Sequence, residues 1–79
     1  MNEFYVKINY IDAVKKFVNI ATKINNDIDI VVGRYIIDAK SIMGIFTLDL
    51  TKKIKVVVHS DNEKELMCIK EMFKEFIVE

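Results

Sequence analysis

Ile28-Asp29-Ile30-Val31-Val32-Gly33-Arg34-Tyr35-Ile36-Ile37-Asp38-Ala39 is the stretch on which the fold turns. Two β-rich runs, Ile28 to Val32 and Tyr35 to Ala39, are separated by two residues. Glycine at the first central position suits a type II′ turn, whose twist matches that of paired strands. The spacing therefore predicts an antiparallel hairpin.

On the N-terminal side, Ala13, Phe17, Ile20 and Ile24, joined by Val14, Val18 and Ala21, recur at helical spacing, with Lys15, Lys16, Asn19, Thr22 and Lys23 opposite. This predicts an amphipathic helix of about four turns. Asn9 is a candidate cap, Asp12 suits the positive end, and Asn25-Asn26-Asp27 reads as the exit. Before it, Phe4, Val6 and Ile8 fall two apart, the mark of a first strand between Glu3 and Asn9. On the C-terminal side, Ser41 can cap a brief helix running toward Leu48 or Leu50. Lys53 to His59 alternates through Ile54, Val56 and Val58 as a fourth strand. Ser60-Asp61-Asn62-Glu63 has capping-box spacing, and Leu66, Ile69, Phe73 and Phe76 with Met72 form the apolar stripe of a last helix.

The order is β-α-β-β-α-β-α. Each strand alternates and each helix has one apolar stripe, so the simplest packing is an α+β domain: a four-stranded antiparallel sheet with three helices on one face, the other face meeting water. Its 79 residues form one domain, 1–79, and a chain this short buries only about 60% of its unfolded surface. Twelve basic residues balance twelve acidic ones, which argues against a nucleic-acid partner. There is no stretch near 18 apolar residues to span a bilayer, and the start from Met1 to Val6 lacks the features of a signal peptide, which together point to a cytoplasmic protein without membrane association.

Little in the chain suggests catalysis. His59 is the only histidine, followed by Ser60 and Asp61, but alternation sends these neighbours to different sides. The lone Cys68 reads as a buried or half-buried helical thiol, and the four Met and five Phe as core. No His/Cys cluster suits zinc, Asp27 and Asp29 give no calcium loop, and no glycine-rich loop suits a nucleotide, so no cofactor is expected. Tyr5 and Tyr35 are too few, with too little basic charge nearby, for an RNA-stacking face.

Ile37-Asp38-Ala39-Lys40-Ser41-Ile42-Met43-Gly44-Ile45-Phe46-Thr47-Leu48 resembles the Lys-Ser-Ile-Met-Gly stretch of the histidine-containing phosphocarrier (HPr) family of the sugar phosphotransferase system, and the element order agrees along the chain. The resemblance implies an HPr-like open-faced β-sandwich and a non-enzymatic protein. It implies that Ser41 is a site of regulatory phosphorylation by HPr kinase/phosphorylase, and that Ile42, Met43 and Phe46 dock partners. Those partners would be other phosphotransferase-system proteins or a catabolite-control transcription regulator. The same comparison exposes a departure. Phosphate-carrying members have Gly-(Ile/Leu)-His-Ala-Arg-Pro before the first helix. Counted back from Ser41 without a gap, Tyr10 takes the place of the histidine, Asp12 that of the arginine and Ala13 that of the proline. A phenol with a pKa near 10 is a poor acceptor for reversible phosphoryl transfer, and a carboxylate repels the phosphate that arginine would hold. The pattern is that of the catabolite-repression variant of HPr, which lacks the histidine and acts through its serine. Two alternatives are phosphocarrier activity through His59 and an unmodified module that competes for phosphotransferase-system partners.

Overall fold

The computed structural model describes residues 2–78. Its elements run β1 (Glu3–Val6), α1 (Ile11–Thr22), β2 (Ile28–Val32), β3 (Tyr35–Asp38), α2 (Ile42–Phe46), β4 (Ile54–Val58), α3 (Glu63–Met72) and β5 (Ile77–Val78). The strands form one antiparallel sheet in the order β3-β2-β4-β1-β5. The predicted hairpin forms with Val32 opposite Tyr35. Among the described residues Gly33 alone takes a positive φ, +57°, the sign pattern of a type II′ turn.

The sheet has five strands instead of four. After α3 the chain returns along the free edge of β1, pairing Tyr5 with Val78 and Val6 with Ile77, and Lys7 N–H donates to the Phe76 carbonyl at 2.9 Å. Two residues are too few for alternation to register, yet they cover an edge that would otherwise be open.

One face of the sheet is buried. Phe4, Val6, Ile28, Ile30, Ile54, Val56 and Val58 join Val14, Phe17 and Ala21 of α1, Ile45 of α2, and Leu66 and Ile69 of α3 in a single core. Phe17 lies at its centre, with ring centroids 4.8 Å from Phe73 and 5.7 Å from Phe76. Each such buried ring contributes about 1.5–3 kcal/mol. The four-turn reading of α1 is too long: the helix stops at Thr22, and Ile24 stays in the core from the following loop.

Two assignments to the interior are overturned. Cys68 is exposed. Met43, Met67, Met72 and Phe46 are exposed as well, whereas Phe4, Phe17, Phe73 and Phe76 are buried and Met1 lies outside the described residues. On α3 the sheet accepts a stripe through Leu66 and Ile69, continued by Phe73, and residues one position off that line point to water.

Candidate functional site

Two helix starts carry the residues singled out by the sequence. At the first, Ile8 is fully buried at the end of the β1 run, leaving only Asn9 and Tyr10 to turn the chain into α1. The cap is therefore Tyr10, not Asn9. Its backbone is extended (φ −155°, ψ 166°), its carbonyl accepts from Val14 N–H at 3.2 Å, and its side chain makes no capping bond. The phenol is 65% exposed, with Ile11 exposed beside it and Asp12 in the first turn. Ala13 is buried. Tyr10, Asp12 and Ala13 thus come together, lining a hollow of about 310 Å³ with Lys16, Glu75 and Phe76. Lys16 is the cation of this hollow, and its Nζ is held by Glu75 at 3.1 Å.

At the second start, Ser41 is the N-cap of α2, extended (φ −98°, ψ 97°) and exposed. Its Oγ accepts from Gly44 N–H at 3.3 Å, a long bond, and its carbonyl accepts from Ile45 N–H at 3.1 Å. The approach is fixed from both sides: Ser41 N–H donates to the Asp38 carbonyl at 3.0 Å, while Asp38 Oδ1 accepts from Lys40 N–H at 2.8 Å. Gly44 lets α2 lie down on β3. A Cβ there would stand 2.7 Å from Ile37 Cγ2 and 3.1 Å from Ser41 Oγ. Met43, 73% exposed, and Phe46, 40% exposed, project from α2, while Ile42 is half-buried against the core.

His59 lies elsewhere, past the end of β4. Its Nε2 is 2.7 Å from Asp29 Oδ2, and it shares a hollow of about 180 Å³ with Asp27, Asp29 and Asp38. A histidine held by a carboxylate through one nitrogen offers the other as a nucleophile, but the carboxylate of Asp29 against the ring, with Asp27 and Asp38 lining the same hollow, disfavours an anionic phosphoryl donor. Ser60 does not complete a triad, since its hydroxyl donates to Glu65 Oε1 at 2.6 Å. The capping-box reading of Ser60 and Glu63 also gives way. Asn62 caps α3, its side chain accepting from Glu65 N–H at 3.1 Å, while Ser60 Oγ accepts from Asn62 N–H at 3.1 Å. Hydrogen bonds from Ser60 and then from Asn26 to the Glu65 carboxylate hold its pKa below the usual range. Among the described residues, no three His, Cys, Asp or Glu side chains gather in a metal-holding arrangement, and no helix is long and apolar enough to cross a membrane.

Sequence reasoning missed Gly44 and Asp29. A glycine inside a five-residue helix, where it costs about 1 kcal/mol against alanine, was the signal for a close approach. Asp29 becomes a partner of His59 only through the pairing of β2 with β4.

The family model for the PTS HPr component phosphorylation site matches residues 11–77. The chain belongs to the HPr family. Its members are phosphocarriers of the phosphotransferase system, not enzymes. The fold is similar to that of HPr-C-His from Thermoanaerobacter tengcongensis, at 23% identity and a TM-score of 0.73 over 95% of this chain and 93% of that one. It is similar to the phosphocarrier protein HPr from Bacillus anthracis, at 25% identity and a TM-score of 0.65 over 89% and 93%. It is also similar to the histidine-containing phosphocarrier protein of Mycoplasma, at 17% identity and 0.68 over 92% of each chain. No curated protein sequence matches. The span matched by the family model begins one residue after Tyr10 and includes all of α2.

Proposed function

We propose that this HPr-family chain is a cytoplasmic regulatory protein of carbon catabolite control. Ser41 is its phosphorylated residue, and no phosphate is carried on histidine. The observation that carries this reading is the contrast at the two helix starts. Ser41 is exposed and its hydroxyl is engaged by a bond of 3.3 Å, next to the open side chains of Met43 and Phe46. The hollow at Tyr10 offers a phenol, a carboxylate and a lysine already paired with Glu75. HPr kinase/phosphorylase would transfer phosphate to Ser41 Oγ, placing about two negative charges beside the first-turn amides of α2. That position tolerates the charge, so the modification alters the surface without unfolding the domain. The phosphorylated face, with Ile42, Met43 and Phe46 as apolar anchors, would then bind a catabolite-control transcription regulator. Incubation with HPr kinase and ATP tests this: one phosphate is expected, absent in Ser41→Ala. An unlabelled chain, or undiminished labelling of the variant, overturns it.

A second reading rests on the 2.7 Å contact of His59 with Asp29, which fixes one ring nitrogen and frees the other. Under that reading, phosphoenolpyruvate and Enzyme I yield an acid-labile adduct that His59→Ala abolishes.

A further inference from the structure

β3 is an edge strand, and its outer side is open. The Ala39 N–H donates to the Ile28 carbonyl at 2.9 Å, which fixes which residues of β3 bond to β2. Counting in twos from Ala39, the pairs Ala39–Ile28, Ile37–Ile30 and Tyr35–Val32 are the hydrogen-bonded ones. Ile36 lies between them, so its N–H and C=O point away from the sheet. Its side chain is 69% exposed, and that of Tyr35 is 68% exposed. Natural sheets usually blunt such an edge with charge, proline or a covering segment. Here the charges are placed symmetrically instead: Arg34 two residues before Ile36 and Asp38 two residues after it, both exposed. Arg34 makes no ion pair among the described residues, and one carboxylate oxygen of Asp38 accepts from Lys40 N–H.

We infer that β3 pairs antiparallel with β3 of a second copy of this chain, about a two-fold axis through Ile36. In that register the two Ile36 residues exchange backbone N–H···O=C bonds. Arg34 of each copy stands opposite Asp38 of the other, twice over, and each exposed Tyr35 faces the other copy's Ile37 at the closer spacing of a non-hydrogen-bonded pair. Shifting the register by one residue in either direction loses this pairing. Centred between Ile36 and Ile37, it sets Arg34 against Ala39, and centred between Tyr35 and Ile36, it sets Arg34 against Ile37. Opposite charges at equal distances on both sides of an exposed apolar residue select a copy of the same strand, in antiparallel sense, over a uniformly charged peptide.

Sedimentation equilibrium of the full chain from about 10 µM to about 1 mM spans the range in which a short edge pairing dissociates. The apparent mass should rise from 9.2 kDa toward twice that value. Arg34→Glu, which places two carboxylates opposite each other on both sides of the axis, should weaken association at least about tenfold. The double variant Arg34→Glu with Asp38→Arg should restore it. In the unmodified chain, the Ile36 amide should exchange with solvent freely when dilute and slowly when concentrated. A chain that stays at 9.2 kDa throughout, an Arg34→Glu variant that associates as before, or an Ile36 amide unprotected at high concentration overturns the pairing. So does a double variant that keeps the native amide spectrum and remains monomeric.

Discussion

The start of α1 and the start of α2 are built alike and equipped differently. Both caps have extended backbones, and both carbonyls take the first helical hydrogen bond. At α2 the capping side chain also bonds its helix, the glycine inside lets the serine oxygen approach, and apolar side chains flank it in the open. At α1 the capping side chain bonds nothing in the helix, the first turn brings a carboxylate, and the neighbouring lysine is engaged by Glu75. The backbone frame of a phosphoacceptor site is therefore separable from its chemistry. An extended cap before a helix is a matter of topology, but the acceptor and its counter-charge reside in three side chains.

The strongest way to break this comparison is to re-equip α1. Tyr10→His with Asp12→Arg and Ala13→Pro should give a chain that forms an acid-labile adduct with phosphoenolpyruvate and Enzyme I at position 10, where the parent is expected to take no phosphate. Proline at position 13 fits, because the first helical N–H with a partner is that of Val14. A folded triple variant that stays unlabelled would mean that the two starts differ in more than these side chains. At α2, the equivalent perturbation is Gly44→Ala. The added methyl meets Ile37 and Ser41 Oγ, so we expect a loss of about 1–3 kcal/mol in urea unfolding and slower phosphorylation of Ser41. An unchanged midpoint would show that α2 shifts freely on β3.

Alternation identified β2 and β4 because each buries one face and leaves the other partly wet, whereas β3, an edge strand in which only Ile37 is half-buried, was legible from its β-rich run and the two-residue turn before it. Ser41 was legible as a cap because the signal is local, one oxygen facing an amide three residues on. The failures were those of tertiary choice. Ser60 has capping-box spacing to Glu63, yet Asn62 is nearer the helix, and Ser60 serves Glu65 instead. Met67, Cys68 and Met72 are apolar, but no element packs over that side of α3. The Lys40-to-Gly44 string pointed to the family, and the family match extends well beyond it.

A smaller contrast concerns the caps themselves. Ser41→Ala should lower stability by about 1 kcal/mol, whereas Tyr10→Ser should raise it by about 0.5–1 kcal/mol by supplying the missing acceptor. Equal and opposite shifts in the midpoint of chemical unfolding would make the two starts interchangeable as caps. A Tyr10→Ser variant without gain would place the amides of α1 in adequate contact with water already.

The start of α3 offers the mildest test, through pH. Glu65 is ionised more readily in the fold than in the unfolded chain, because Ser60 and Asn26 donate to its carboxylate. A carboxyl with a depressed folded pKa adds stability that is complete above its unfolded pKa and is lost as pH falls through the folded one. Stability should thus decline on the acid side of the ordinary glutamate pKa, and Glu65→Gln should make that decline shallower while leaving some of it. The remainder belongs in part to Asp49, whose carboxylate is likewise stabilised by the hydroxyl and backbone N–H of Thr51. If unfolding midpoints of Glu65→Gln and the parent fall in parallel with pH, the Ser60–Glu65–Asn26 contacts are too well solvated to hold a proton off, and the start of α3 would resemble that of α1 more than that of α2.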